Sequence, residues 1–304
     1  LSMEQIDQKL EDAGLDPIGD PLGDPFYSMT PAQIDALTDD EYFALLESYG
    51  WGPQILPAWS DVLTDEDFET LLLPQSVLVL LFSFGMIWIA VAAVVIGLHR
   101  RRPETLIGPP TIAFLQAKFV IVALLLVMGA LMALPPYGHD PALLDGLAFA
   151  QWLTFLLPAL IAVLIQTSAE EVLFRGYIQQ QLAARFAHPA VWMVIPSVLF
   201  GLAHYSPGTY GGNAWLVVIW ASVFGMIAAD LTARSGTLGP AIAVHFVTNV
   251  SALLLIAPQG EMSGLALYQY PFTANDEAAI RAFLPIDFAV MIVCWLAARL
   301  ALRR

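Results

Sequence analysis

Apolar positions along this chain come in long unbroken runs, and polar positions collect between them. The runs fall at about 74–98, 111–134, 147–167, 191–203, 214–232, 238–257 and 283–302. Several approach or exceed the roughly 18–20 apolar residues that a helix needs to cross a bilayer. Nothing alternates with the two-residue period of a membrane barrel. The pattern predicts an all-α fold, a polytopic membrane helix bundle of about seven membrane segments.

The opening residues read differently. Residues 1–72 predict a small, acidic, mostly helical extension outside the membrane, and residues 73–304 the transmembrane bundle. Ser2 with Gln5, and Thr30 with Gln33, have capping-box spacing. Pro31 suits a first helical position, and Gly14 and Gly50 are placed to stop two helices. The aspartates and prolines of 16–25 read as turns between them. A third short helix can start at Thr64, where acidic residues favour an N-terminus. No basic stretch followed by an apolar core precedes residue 70, so no cleavable signal peptide is expected there. The extension reads as a docking module for a protein partner, as an acidic lid, or as a solvated tail.

Charge sharpens this division. The net charge is −15, yet residues 1–70 hold 17 acidic residues and one lysine, while residues 71–304 hold 10 acidic and 11 basic residues. The bundle is therefore nearly neutral. No basic footprint supports a nucleic-acid partner. The single cysteine, Cys294, excludes an internal disulfide and reads as a small apolar side chain. If the spans alternate, Arg100, Arg101, Arg102, Arg185, Arg234, Arg299, Arg303 and Arg304 fall on one side, which predicts a cytoplasmic C-terminus in a cell inner or plasma membrane.

The chemistry-bearing residues interrupt the apolar runs. Residues 168–177 read S-A-E-E-V-L-F-R-G-Y, directly after an apolar stretch. Carboxylates beside a membrane helix are costly and are functional candidates for that reason. On a helix, Glu171 and Arg175 share a face in the favourable acid-before-base order, and Glu170 points about 100° away. One carboxylate is then held by the arginine and the other is free. A second run ends in L-F-G-L-A-H, residues 199–204, with Phe200 and His204. A third contains H-F-V-T-N, placing His245 and Asn249 one turn apart. Residues 191–203 make about 20 Å of helix, too short to cross a ~30 Å core, so His204 can sit at mid-depth near Glu170 in a polar cavity inside the bundle.

In this order, E-E-x-x-x-R, F-x-x-x-H and H-x-x-x-N resemble the CAAX-protease and bacteriocin-processing family of glutamate intramembrane proteases. The resemblance spans about 155–257, within a motif core at 147–257. It implies an intramembrane endopeptidase acting on a membrane-associated protein or peptide, lipidated or not. It also implies Glu170 as the base, His204 as its partner on the water, and His245 and Asn249 as the oxyanion site. Glu171, Arg175 and Phe200 are supporting residues.

The residue chemistry agrees with those roles and leaves rivals. A desolvated glutamate suits water activation, and an imidazole and an amide suit a developing oxyanion. The alternatives are that His245 and Asn249 form an interhelical hydrogen-bond pair and that His204 is a helix-end histidine facing interfacial water. Two histidines and a glutamate can bind zinc, but H-E-x-x-H is absent and the histidines lie on different helices, so no cofactor is expected. No nucleophile elbow is found for serine chemistry. The non-enzymatic rival is a membrane adaptor of the same fold. A transporter is disfavoured by the lack of internal inverted repeats.

Overall fold

The computed structural model describes residues 73–133, 143–260 and 262–303. The capping-box helices expected in 1–72 and most of the loop at 135–145 lie outside them. Five helices are long and apolar enough to cross a membrane. They are α1 (Pro74–Gly97, interrupted at Phe84), α2 (Pro110–Ala133), α3 (Phe149–Ala183), α5 (Ala214–Ser235) and α7 (Glu277–Leu302). Two shorter apolar helices complete the set, α4 (Pro189–Leu202) and α6 (Gly239–Leu255). These seven coincide with the apolar runs, and the all-α bundle is as expected.

Proline and glycine set the helix ends. Pro74, Pro189 and Pro240 occupy first-turn positions, where the missing N–H breaks no helical bond. Gly236 closes α5 in the left-handed conformation, φ 73°. Helix α7 begins six residues before its apolar run because Asp276 caps it, accepting from the Ala278 and Ala279 backbone N–H groups.

Polarity is arranged inside out. Leu126 is 71% exposed and Leu157 69%, whereas Glu171 and Arg175 are 0% exposed. Water-soluble proteins bury the first class and expose the second. The exposed aliphatic and aromatic surface is suited to lipid, and the ionisable groups face the bundle interior. The largest buried cluster joins α2 through α7 by way of Val120, Leu124, Phe174, Phe200, Phe224, Val244 and Met291.

Small residues let the central helices approach closely. A Cβ on Gly201 of α4 would stand 2.5 Å from the Val218 carbonyl oxygen and 2.0 Å from Ser222 Oγ of α5. A Cβ on Gly225 of α5 would stand 2.9 Å from the Ser197 Cα of α4. Membrane helices lack a hydrophobic drive to associate and rely on such backbone approach. The approach sets how deeply Phe200 reaches into the bundle.

The segment just before α3 and the region after α6 together form a small sheet, not foreseen from the sequence. Its strands are β1 (Leu144–Asp145), β2 (Ile256–Gln259) and β3 (Tyr268–Thr273), in the order β1-β3-β2. Strand β3 pairs antiparallel with β1 and parallel with β2. The alternating Tyr268, Tyr270 and Phe272 carried the signal, and the ring of Tyr270 stacks on Phe272. The sheet joins the start of α3 to the end of α6, and the Trp152 indole N–H donates to the Leu254 carbonyl at 2.8 Å beside it. This joint fixes the register between the two helices that carry most of the candidate site.

Gly201→Ala is expected to lower the midpoint of thermal unfolding in detergent, by about 1–3 kcal/mol of overpacking. Gly129→Ala, in α2 with nothing within 4 Å of its added Cβ, is expected to leave the midpoint unchanged or raise it, since alanine gains roughly 0.5–1 kcal/mol over glycine in a helix.

Candidate active site

Helix α3 does not end at its glutamates. It continues through them to Ala183, changing at Val172 from α-helical to wider π-helical turns that persist to Gln179. Residues 172–187 read as an amphipathic continuation of the span, and the helix runs on through Gln180 and Gln181. A second π-helical turn, Ser251–Leu255, follows Asn249 in α6. Such turns recur at functional sites because they displace side chains from the regular α-helical positions. Here the first contains the motif residue Arg175, and the second begins two residues after Asn249.

Arg175 reaches back across the wide turn to Glu171, Nη1 to Oε1 at 2.9 Å, with both side chains fully buried. Its guanidinium carbon lies 4.6 Å from the Phe200 ring centroid, a cation–π contact. His245 of α6 approaches the same carboxylate oxygen, Nδ1 to Oε1 at 2.8 Å. A carboxylate paired with a guanidinium accepts hydrogen bonds only, so His245 Nδ1 is the donor. That bond orients the ring and turns Nε2 toward Glu170, 3.5 Å from its Oε2. Glu170 is 8% exposed, and its Oε2 is buried without a hydrogen bond.

The two adjacent glutamates therefore have different surroundings. Glu171 is held by a cation and an imidazole. Glu170 has only the edge of that imidazole. Arg175 belongs to Glu171, in keeping with the four-residue spacing.

His204 enters through Phe200. Their ring centroids are 4.7 Å apart, and the other face of the cluster brings His245 to 5.9 Å and Phe224 to 6.0 Å from Phe200. His204 Nδ1 lies 2.8 Å from the Phe200 carbonyl oxygen. A carbonyl only accepts, so Nδ1 carries the proton and Nε2 of the neutral ring is left as a lone pair. The structure joins Glu170, Glu171, Arg175, Phe200 and His245 directly, and His204 by ring contact.

Asn249 lies one turn beyond His245, and its Nδ2 donates to Gln166 Oε1 of α3 at 2.9 Å. The sequence reading did not single out Gln166. Its signal was a buried glutamine four residues before Glu170, on the same helical face. It ties the motif asparagine to the motif helix and leaves the second amide N–H of Asn249 for another acceptor. Among the described residues, no three His, Cys, Asp or Glu side chains are grouped so as to hold a metal ion.

Residues 151–251 match the family model described as Rce1-like, type II CAAX prenyl endopeptidases. All three motifs fall inside that segment, which bears out the resemblance read from them. A relative described as uncharacterized protein YyaK, of Bacillus subtilis (strain 168), is 27% identical over 188 residues, 60% of this chain and 61% of that protein. The chain thus spans less than two thirds of that relative's length. No solved structure matches.

A double-mutant cycle on Gln166→Leu and Asn249→Leu, read by unfolding in detergent, is expected to give a coupling of about 0.6–1.7 kcal/mol, the range of interhelical hydrogen bonds in membranes. Additive losses would contradict the Asn249–Gln166 bond.

Proposed function

We propose that this chain, a helical integral membrane protein with an Rce1-like motif core, is an intramembrane endopeptidase that cleaves a membrane-associated protein or peptide with water activated by Glu170. The observation that carries this reading is the division between adjacent carboxylates. Glu171 accepts from Arg175 and His245 through Oε1, while Glu170 is approached only by His245 Nε2 at 3.5 Å; the Oε2 of each carboxylate is buried without a hydrogen bond.

A base beside a polarised water is the minimum that hydrolysis requires. In this reading water sits between Glu170 and the Nε2 of His204. Glu170 takes one proton as the water oxygen attacks the scissile carbonyl carbon. The carbonyl oxygen gains the electron pair and is met by the free N–H of Asn249 and by the Nε2–H of His245, which as an imidazolium keeps its Nδ1–H on Glu171. The tetrahedral species then collapses, the C–N bond breaks, and the proton passes to the leaving amine through His204. No bond to the protein forms and no metal takes part. Glu171, Arg175 and Phe200 hold the machinery in place without touching the reacting atoms.

The bilayer favours this division of labour. Few waters reach a buried site, so a base must hold one in position, and the low dielectric strengthens each donor aimed at the oxyanion. If the spans alternate, the basic residues that follow α1, α3, α5 and α7 fall on one side, which supports a cytoplasmic C-terminus. Residues 1–72 are proposed to dock a protein partner.

The test compares cells carrying wild type with cells carrying Glu170→Gln at matched expression, with protein termini in membrane and secreted fractions mapped by mass spectrometry. New termini are expected with wild type alone, and Asn249→Ala is expected to reduce their rate of appearance by roughly 10²–10³-fold. Identical termini in wild type and Glu170→Gln would overturn the reading.

A further inference from the structure

Arg281 and Arg299 bracket the apolar part of α7. They stand about 27 Å of helix apart, close to the ~30 Å of a bilayer core. Between them Asp287 is the only charged residue. It lies about 9 Å along the helix from Arg281, roughly a third of the way across. Asp287 is exposed, and among the described residues its carboxylate has no hydrogen bond and no ion pair. An aspartate is too short to reach the interface over that distance. The other carboxylates of the spans are met from within the chain. His245 approaches both Glu170 and Glu171, and Asp230 accepts from Arg234 and from the Trp295 indole N–H. An ionisable group inside a membrane is costly unless it is paired or turned inward, so Asp287 stands apart.

Its place on the helix is as telling as its depth. Helical spacing puts Asp287 on one face with Met291, Cys294 and Ala298, and those three are buried. The packed stripe stops at Met291, and its continuation one turn on is open. Phe283, a further turn away on the same face, packs against the rings of Tyr270 and Phe272, with centroids 5.2 and 5.1 Å apart. A cation seated on Asp287 would thus lie within a helical turn of an aromatic ring. The lysine exposed within α2, Lys118, lies toward the other end of the bundle. Gln116, two residues before it, donates to the Ser235 carbonyl at the end of α5, beyond the level of the Trp295–Asp230 contact. Lipid amines lie at the headgroup level, nearer Arg281. The depth of Asp287 therefore suits a basic side chain carried into the membrane on a helix.

We propose that this face of α7 docks a membrane helix of a partner protein, one that carries a lysine or arginine at the depth of Asp287. Pairing removes the cost of a lone carboxylate in lipid, and the apolar side chains of the partner helix cover the open stretch between Phe283 and Met291. A long basic side chain suits the site, because its apolar stem lies along the helix surface while its charge reaches the carboxylate. The partner is defined by that charge at that depth. The proposal does not depend on the peptidase reading.

The probes are two synthetic leucine-rich membrane helices carrying a dansyl group. One has a single lysine a third of the way along, and the other has leucine there. The purified full chain is reconstituted in phosphatidylcholine vesicles, and energy transfer from its own tryptophans to dansyl reports association. The lysine helix is expected to reach half-maximal transfer at a roughly 3–18-fold lower peptide-to-lipid ratio than the leucine helix, the span of interhelical polar contacts in membranes. Asp287→Asn is expected to abolish that preference. The substitution breaks no contact, so its unfolding midpoint in detergent is expected to stay at the wild-type value, and the lost preference then reports binding alone. Equal transfer to the two helices in wild type, or a lysine preference that survives Asp287→Asn, would overturn the proposal. So would a midpoint raised by phosphatidylethanolamine over phosphatidylcholine in wild type but not in Asp287→Asn, without a lysine preference; that result assigns the carboxylate to a lipid amine.

Discussion

The buried pairing of Glu171 with Arg175 is the interaction on which the rest of the site depends. An isolated charge inside a bilayer protein costs several kcal/mol, and breaking such a pair leaves its partner uncompensated. The chain meets this cost with several contacts at once. Glu171 receives both Arg175 and His245, and the guanidinium lies over Phe200. Each contact fixes a different helix relative to α3: α6 through His245 and α4 through Phe200. An electrostatic requirement local to one turn thereby determines where three helices meet.

Packing converts that requirement into a geometry. Gly201 and Gly225 allow α4 and α5 to approach at backbone distance, which carries Phe200 inward to the arginine. The Trp152–Leu254 bond and the small sheet hold α3 and α6 in register at one end, and the Asn249–Gln166 bond holds them again near the site. One π-helical segment contains Arg175, and the other begins just beyond Asn249. The wider turn lets Arg175 fold back onto Glu171 while Glu170 remains beside the His245 edge.

Much of this was legible in the sequence because the solvent is simple. A bilayer interior punishes every polar atom, so apolar runs mark helices, and Glu170, Glu171, Arg175, His204, His245 and Asn249 stand out against them. The four-residue spacing from Glu171 to Arg175 already separated the held carboxylate from the free one. What was not legible depended on distant partners or on subtle backbone changes. Gln166 looked like the end of a run until Asn249 was seen opposite it. The continuation of α3 past its glutamates was legible as an amphipathic stretch, but not that Gln179 and Gln180 would donate to the Ala229 and Leu106 carbonyls. The aromatic alternation at 268–272 was too short to outweigh the surrounding turn residues. The early start of α7 was written in Asp276 and its two following alanines, a capping signal overshadowed by the apolar run behind it.

The most direct test of the central claim needs no substrate. Glu170→Gln and Glu171→Gln are compared by unfolding of the purified protein in detergent. The account predicts that Glu171→Gln loses roughly 3–5 kcal/mol, because Arg175 is left buried without its counter-charge, while Glu170→Gln unfolds close to wild type. Equal losses, or a greater loss for Glu170→Gln, would contradict the assignment of one glutamate to the scaffold and the other to chemistry.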